Sequence, residues 1–351
     1  MKQYIESKEV GNPYREEYKK GLDQLLKQRR QQANSIRRST MEQIARHPEQ
    51  TRQALVEMLG WPYTLPHDSA PPQVKQTLIA EEEHCRIFRM QIETLPGLWC
   101  YGLLFLQQSS QPAPFVISQH GGLGTPELCS GLYGSTTNYN QMTRRILKKH
   151  PQANVFAPQL LLWNLEDYPV PYDRQQLDSD LKQVGSSITA VELYFIRRSL
   201  DFFCTQPYVD PRKIGMVGLS YGGFYTLFAA ACETRIRSSV SCSFFNDRFT
   251  YSWPDWVWYG SGLRFTDAEI AALICPRGLH IAVGDQDDLF DVRLAEKTIK
   301  PVREFYQKAG CPQQLRFTIF HGGHEFSTDD QILDSMFSDL EKNECVGGAN
   351  R

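Results

Sequence analysis

Short apolar runs, each bounded by turn residues, recur along the chain from about residue 86 onward. The runs at 86–94 and 98–106 flank Leu95, Pro96 and Gly97, so they predict two antiparallel strands joined by a hairpin. Between several later runs, apolar residues recur at helical spacing, most clearly over 188–203. Further runs predict strands at 114–118, 153–158, 213–217, 238–243, 280–283 and 315–320, and further helical patterns lie at 293–308 and 331–340.

The alternation of strands and helices over residues 73–342 predicts an α/β domain with a mainly parallel sheet and helices on both of its faces. A chain of 351 residues is long for one average domain but ordinary for an elaborated α/β domain. Ligands of such sheets bind beyond the carboxyl ends of the strands, so candidate chemistry is sought directly after each apolar run. A tail at 343–351 follows the domain.

The segment before this domain has a helical pattern and many charges. Over residues 14–59, Leu22, Leu25 and Leu26 form one apolar stripe, and basic residues outnumber acidic ones. The pattern has two interpretations, an arm for RNA or a partner protein, or the solvated face of helices packed on the main domain. The second is favoured. A proline-rich linker at 65–72 closes an N-terminal segment over 1–72, which is also a candidate contact between copies of the chain.

Charge and cysteine content argue against several classes of function. Lys and Arg total 38 and Asp and Glu total 40, so a net charge of -2 favours neither nucleic acid nor a membrane surface. The nine cysteines include no C-x-x-C pair, so no zinc or redox framework is expected, and their place in apolar runs suits a reducing compartment. Residues 1–10 hold no apolar signal core, and no apolar run approaches the roughly 20 residues that span a bilayer. We therefore expect a cytoplasmic protein without nucleic-acid or membrane partners.

One glycine-rich turn stands out among the strand ends. The sequence Gly218-Leu219-Ser220-Tyr221-Gly222 reads G-x-S-x-G and lies between a predicted strand at 213–217 and a helix-like run at 224–231. Strand, sharp turn and helix are the context of a nucleophile elbow, in which the serine adopts a strained backbone conformation between two glycines. The alternative is an incidental serine in a tight turn, and the context favours the elbow.

Two later strand ends supply an acid and a base. A serine hydroxyl needs an adjacent base, imidazole has a suitable pKa, and a carboxylate on its other nitrogen fixes its tautomer. The turn length after the strand at 280–283 favours Asp287, with Asp285 as the alternative. Two glycines before His324 favour it over His321. The remaining acids, Asp288 and Asp291, fit helix caps or surface charge.

A further glycine-rich loop is a candidate oxyanion hole. The tetrahedral intermediate of acyl transfer needs two aimed donors, and the Tyr221 amide is one candidate. The loop of Gly121, Gly122 and Leu123 is the candidate for the other. His120 is a candidate contact of the substrate or second base, although orienting this loop is its favoured role. No metal site is expected, because the H-x-x-H pair formed by the two histidines after residue 320 has no supporting ligand spacing.

Two insertions are candidates for shaping the substrate pocket. The first, at 159–185, contains Trp163; the second, at 246–272, contains Trp253, Trp256 and Trp258. The tryptophans have two interpretations. They could form an aromatic wall for a sugar, aryl or acyl group, or they could form the small core of the insertion itself. The sequence favours neither interpretation. Arg248 could grip a carboxylate, but an ordinary loop arginine is the favoured interpretation.

Three stretches resemble the dienelactone-hydrolase-like and acetyl-xylan-esterase-like members of the α/β-hydrolase superfamily. They are the elbow region at 209–223, the acid loop at 274–287 and the histidine loop at 322–326. The likeness extends over about 87–340, and it implies the α/β-hydrolase fold, with Asp287 as the acid three residues after Gly284. The chain departs from true dienelactone hydrolases in having a serine nucleophile and a longer N-terminal helical region.

The expected function is therefore hydrolysis of a carboxylic ester through a serine acyl-enzyme, without a cofactor. Acetyl or other short acyl esters, including those of carbohydrates, are the candidate substrates. A peptidase or amidase similar to acylaminoacyl peptidases and a non-enzymatic binding protein on the same fold are the alternatives.

Overall fold

A computed structural model describes residues 2–66, 70–108, 111–133, 137–162, 171–251 and 253–342. Nine strands lie within these ranges: β1 Val74–Glu81, β2 Cys85–Leu95, β3 Leu98–Gln107, β4 Ala113–Gln119, β5 Asn154–Pro158, β6 Val209–Leu219, β7 Ile236–Cys242, β8 Gly278–Gly284 and β9 Leu315–Phe320. The same ranges hold the helices α1 Asn12–Arg46, α2 Pro48–Leu59, α3 Pro126–Cys129, α4 Met142–Lys149, α5 Arg174–Gln183, α6 Ile188–Phe203, α7 Tyr221–Cys232, α8 Ser261–Arg264, α9 Asp267–Ala272, α10 Val292–Lys308 and α11 Gln331–Lys342. Short 3-10 helices add Lys8–Gly11, Arg248–Thr250, Pro254–Trp256 and Pro312–Gln314.

All nine strands form one sheet in the order β1-β2-β3-β5-β4-β6-β7-β8-β9. The strands from β5 through β4 to β9 are parallel, while β1, β2 and β3 pair antiparallel at one edge, with β3 antiparallel to β5. Because β6 lies inside the parallel part, the turn after it lies near the middle of the edge formed by the carboxyl ends of the strands. The predicted hairpin and the mainly parallel sheet are confirmed.

Side chains alternate between two cores on opposite faces of the sheet. On β4, Phe115 and Ile117 belong to one core and Val116 to the other, as expected for the two-residue period of a strand. The first core also contains residues of α2, α6, α7, α9 and α10. The second contains residues of α3, α4 and α11. Helices therefore cover both faces, as the alternating pattern predicts.

The N-terminal helices attach to the body through their later part. Ala33, Thr40 and Ile44 are the buried residues of α1, which contacts α8 and α9. From α2, the guanidinium of Arg52 donates to the carbonyls of Ala231 and Leu273. Since those carbonyls lie in α7 and directly after α9, the buried arginine ties α2 to the domain. Within the described ranges, no helix is long and apolar enough to cross a membrane.

Candidate active site

Ser220 forms a sharp corner between β6, which ends at Leu219, and α7, which begins at Tyr221. Its backbone has φ 58° and ψ -119°, a combination that costs a non-glycine residue about 1–3 kcal/mol. The Ser220 amide donates to the carbonyl of Cys242 at the end of β7, at 2.9 Å. The sheet therefore holds the corner, and the side chain projects from the carboxyl edge.

Glycines permit the close contacts on both sides of this corner. A Cβ atom on Gly218 would lie 2.3 Å from the backbone carbon and oxygen of Gly222. A Cβ atom on Gly222 would lie 2.2 Å from the carbonyl oxygen of Gln119, at the end of β4. Since backbone atoms cannot yield as a side chain can, neither position accepts a side chain without moving the elbow.

Asp287 and His324 form a hydrogen-bonded pair after β8 and β9. His324 Nδ1 lies 2.9 Å from Asp287 Oδ2. The other carboxylate oxygen accepts the amides of Leu289 at 2.9 Å and Phe290 at 3.1 Å. The Asp287 side chain is 1% exposed, so the three hydrogen bonds replace the water that burial removes. The His324 ring stacks on Phe290, with 5.6 Å between ring centroids.

The alternative acid and base pair with each other on the surface. His321 Nδ1 lies 3.2 Å from Asp285 Oδ2, and these side chains are 81% and 41% exposed. The hydrogen bond from His321 lowers the pKa of Asp285 from its usual range. Asp291 caps α10 by accepting the amide of Arg293 at 2.9 Å, and Asp288 is exposed. The geometry thus separates the pair of Asp287 and His324 from the other candidates.

Ser220 and His324 line one cavity of about 490 Å³ at the carboxyl edge of the sheet. The glycine-rich loop after β4 and Tyr221 line the same cavity. Further residues of its wall are Leu162, Tyr172, Arg174, Trp253, Trp256, Leu289 and Phe290. The structure therefore brings together the nucleophile, base and oxyanion candidates that the sequence places on three different strand ends.

Within the loop after β4, one amide is already engaged. The Gly121 amide donates to the hydroxyl of Tyr139 at 2.9 Å. Gly121 is therefore bound within the loop, and Gly122 and Leu123 line the cavity beside it. Leu123 has a left-handed backbone with φ 55°, and its side chain is exposed.

His120, a candidate contact of the substrate, is buried behind the loop and is not among the residues that line the cavity. Its Nε2 accepts the amide of Leu160 at 2.9 Å, which places the proton on Nδ1. Nδ1 in turn donates to the carbonyl of Gly121 at 2.8 Å. Burial lowers the pKa of His120 to about 4, so the neutral ring pins the loop at neutral pH.

The tryptophans of the second insertion divide between the two interpretations. Trp253 and Trp256 line the cavity, whereas Trp258 does not and packs against Phe228 with ring centroids 5.7 Å apart. The ring of Trp258 belongs to the packing of the insertion on α7. Trp163 lies outside the described residues.

Arg248 also lies away from the cavity, contrary to its candidate role as a carboxylate ligand. Its guanidinium donates to Asp267 Oδ1 at 2.8 Å and to the carbonyl of Trp256 at 2.8 Å. The side chains of Arg248 and Asp267 are 1% and 0% exposed. A buried cation must be paired, and here the pairing fixes the insertion rather than a ligand.

A buried polar network beside the elbow was not predicted. Arg174 makes two parallel hydrogen bonds to Glu192, both at 2.9 Å, and a third to Asp255 at 2.8 Å. Asp255 also accepts the hydroxyl of Tyr221 at 3.0 Å. Burial and then the charge of Asp255 raise the pKa of Tyr221 well above its usual range. Since these residues are far apart in sequence, no local motif reveals the network.

Among the described residues, no group of three or more His, Cys, Asp and Glu side chains is arranged to hold a metal ion.

Comparison with known proteins shows which fold the chain shares with them. No family model matches the sequence. A curated relative, "Putative hydrolase YtaP" of Bacillus subtilis (strain 168), is 25% identical over 157 residues, which are 42% of this chain and 52% of that protein. The chain thus matches about half the length of that relative.

Solved structures give a wider match. A protein described as a "putative acetyl xylan esterase" of Bacteroides fragilis NCTC 9343 has a TM-score of 0.62 and 17% identity, over 80% of this chain and 76% of that one. A glucuronoyl esterase from Solibacter usitatus has a TM-score of 0.58 and 13% identity, over 84% of this chain and 92% of that one. At these identities the likeness shows the fold, which is that of the α/β-hydrolases.

Proposed function

We propose that this protein is a serine hydrolase that cleaves carboxylic esters through a covalent acyl-enzyme. The observation that carries the proposal is the placement of Ser220, on a strained elbow, in the same cavity as a histidine that is paired with a buried aspartate. Descriptions of the structural neighbours as esterases support the reaction class. Fold alone does not set the function, so the residues of the site carry the argument.

The proposed roles follow from the hydrogen bonds of the site. Asp287 accepts the proton on His324 Nδ1, so Nε2 is left to accept the hydroxyl proton of Ser220 as the oxygen attacks the ester carbonyl. The buried carboxylate stabilises the imidazolium that forms. His324 then returns the proton to the departing alcohol, and water releases the acyl group by the same steps in reverse.

The oxyanion of the tetrahedral intermediate is proposed to lie between α7 and the loop after β4. The Tyr221 amide is at the first position of α7, where the helix itself supplies no acceptor. Gly122 or Leu123 supplies the second amide, since Gly121 is bound to Tyr139. Loss of one such donor typically raises the barrier by about 3–4 kcal/mol.

The substrate proposed is a neutral ester with a small or flat apolar group. Trp253, Trp256 and Phe290 give the cavity an aromatic wall, which suits a sugar or aryl face. Arg174 is a cation in the described part of the wall, but its hydrogen bonds go to Glu192, Asp255, the hydroxyl of Tyr225 and the protein backbone. A substrate carboxylate would have to displace these partners, so acetyl or other short acyl esters of carbohydrates fit better than anionic esters.

The test is hydrolysis of p-nitrophenyl acetate by the purified chain and by Ser220→Ala. We expect turnover in the unmodified protein and its loss in Ser220→Ala, because alanine has no nucleophilic oxygen. Ser39→Ala, at an exposed position on α1, is the matched control and should keep full activity. A fluorophosphonate probe should label the unmodified protein and the control alone. Unchanged turnover in Ser220→Ala would refute the assignment.

A panel of acetylated sugars and short-chain aryl esters addresses the substrate separately. Higher kcat/KM on acetylated sugars than on aryl esters of the same acyl group is the expected result. A preference for peptide or amide substrates would favour the peptidase alternative.

A further inference from the structure

The carboxyl end of β7 contacts the strand ends that carry the proposed nucleophile and acid. The carbonyl of Cys242, the last residue of β7, accepts the amide of Ser220 at 2.9 Å. The next residue, Ser243, donates its amide to the carbonyl of Ala282 at 2.8 Å. Ala282 lies in β8, the strand that precedes the proposed acid. Two consecutive residues therefore connect the elbow with β8.

The hydroxyl of Ser243 extends this connection to the loop that carries the base. It donates to the carbonyl of Glu325, the residue directly after His324, at 2.9 Å. A carbonyl oxygen only accepts, so the serine is the donor. The Cys242 thiol lies 3.5 Å from the same oxygen, but a thiol is a weak donor. Ser243 is 0% exposed, so bulk water does not compete for its hydroxyl.

The backbone of Ser243 is strained. Its φ is 48°, in the left-handed region that a glycine enters without cost and a serine does not. Ser220 has a similar φ of 58°, and Cys242 lies between the two, bonded to one and preceding the other. Strain of this kind persists only where surrounding contacts impose it, and it concentrates at functional sites. Here the strained residue supplies a side-chain donor that glycine lacks.

The carbonyls on either side of Glu325 also accept side-chain donors. Asn138 Nδ2 donates to the carbonyl of His324 at 3.3 Å, and Asn140 Nδ2 donates to that of Phe326 at 2.6 Å. Asn138 is exposed and Asn140 is half-buried, whereas Ser243 is buried. Among these three donors, Ser243 is thus the one that is most protected from water and the one that belongs to the end of a sheet strand.

We propose that Ser243 is a positioning residue that fixes His324 relative to Ser220. The inference rests on the proposed function, in which His324 removes the hydroxyl proton of Ser220. The end of β7 holds the elbow through a carbonyl and the histidine loop through the next hydroxyl, so one short piece of backbone sets both ends of the proton transfer. Ser243 is not among the residues that line the cavity, so it acts through His324 and not on the substrate.

Steady-state kinetics of Ser243→Ala and Ser243→Gly on p-nitrophenyl acetate test the proposal. We expect kcat to fall by about 10- to 100-fold in both variants, because a small misplacement of a reacting group is enough for such a loss. KM should stay within about two-fold, since the wall of the cavity is unchanged. The glycine variant relieves the backbone strain, so it separates the loss of the hydroxyl from a loss of folding.

Ser239→Ala is the matched control. Ser239 lies on the same strand, is also buried, and donates its hydroxyl to the carbonyl of Gly278 at 3.2 Å. Gly278 begins β8, at the end of the sheet opposite to the cavity. The control loses a hydrogen bond of the same kind, and its kcat should stay within about two-fold of the unmodified value.

Proton NMR gives a second measurement that does not depend on turnover. The Nδ1 proton of His324, bound to Asp287, should give a downfield resonance that is absent in Asp287→Asn. This resonance should broaden or disappear in both Ser243 variants, because the base is no longer held in one place. It should persist in Ser239→Ala.

The two measurements separate this proposal from the proposed function. Full kcat in Ser243→Gly would overturn the positioning role. A reduced kcat with an unchanged resonance would overturn it too, since His324 would then be held without Ser243. If the resonance depends on Ser243 but the unmodified protein shows no turnover, the proposed reaction is refuted while the placement of His324 by Ser243 is supported.

Discussion

Burial separates the two neighbouring aspartates that follow β8. Asp287 is almost fully buried, accepts two backbone amides and contacts His324. Asp285 is only two residues away, but it is solvent-exposed and contacts His321, which is still more exposed. Only a buried, hydrogen-bonded carboxylate can hold an imidazole in one tautomer against competition from water. The catalytic assignment therefore depends on environment and not on residue type.

Asparagine substitutions at these two positions are a matched pair. Asp287→Asn should lower kcat by about four orders of magnitude, because the amide favours the wrong tautomer of His324. Asp285→Asn should retain activity within about two-fold, since its partner His321 is not among the residues that line the cavity. Steady-state kinetics on p-nitrophenyl acetate measure both. Equal losses in the two variants would contradict the assignment of Asp287.

Four elements meet at the network of Arg174, Glu192, Asp255 and Tyr221. Arg174 begins α5, Glu192 lies in α6, Asp255 belongs to the second insertion, and Tyr221 begins α7. The ring of Tyr221 therefore connects the nucleophile elbow with the insertion that supplies the aromatic wall. Arg174 lies 5.6 Å from the centre of that ring and adds a cation–π contact. The elements that form the aromatic wall and the element that begins after Ser220 are thus connected by buried hydrogen bonds.

Tyr221→Phe tests this connection. The variant leaves the buried Asp255 without one hydrogen-bond donor, so the free energy of unfolding should fall by about 1–3 kcal/mol. KM should rise more than kcat falls, because the wall loosens while the Tyr221 amide stays in place. Urea unfolding and steady-state kinetics provide the two measurements. Tyr259→Phe, at a fully exposed tyrosine, should change neither, and equal effects in the two variants would contradict the connection.

At the scale of the whole molecule, buried neutral histidines make the fold sensitive to acid. His280 on β8 is bound to Ser335 at 2.9 Å and Thr318 at 2.8 Å, and burial lowers its pKa to about 4. His120 has a similarly lowered pKa. An unfolded histidine titrates near 6.5, so below that pH the unfolded chain binds protons that the folded chain excludes. The contribution of these two neutral histidines to the free energy of unfolding is therefore full above pH 6.5, and it is lost as the pH falls towards 4.

The loss should amount to about 2 kcal/mol for each histidine at pH 5. Urea unfolding of the unmodified chain at pH 7 and at pH 5 measures the total. In His280→Gln, the difference between the free energies of unfolding at pH 7 and pH 5 should be smaller by about 2 kcal/mol. This holds regardless of how much the substitution lowers the free energy of unfolding at pH 7. His47→Gln, at an exposed position, should leave the difference unchanged. The same pH difference in His280→Gln as in the unmodified chain would contradict this account.

Sequence patterns predicted most of the sheet and missed the elements with weak patterns. The strands β2 to β9 follow apolar runs, since strands buried between helices need continuous apolar residues. The edge strand β1 was not predicted, because most of its residues, including Lys75 and Gln76, are exposed. The short helices α3 and α4 were missed too. These helices have too few turns, and so too few apolar positions, for a helical periodicity to be recognised in the sequence.

Local motifs likewise predicted part of the candidate site. The elbow and the two later strand ends could be read from the sequence, because chain order and turn length limit which residues meet there. The sequence left Asp285 and His321 open as alternatives, since their exposure depends on tertiary packing. The pairing of Arg174 with Glu192 and Asp255 could not be predicted, because partners 18 and 81 residues apart leave no local pattern.

The contact between Gly222 and the end of β4 limits how this chain can change its substrate. The two backbones are close together there, so the elbow and the loop after β4 can be transferred to another protein only as one unit. Replacing only one of the two turns would shift the backbone of the other, even if no side chain of the site were changed. New specificities are therefore accessible through the aromatic residues at 253 and 256, and libraries for directed evolution should vary that wall while both turns are conserved.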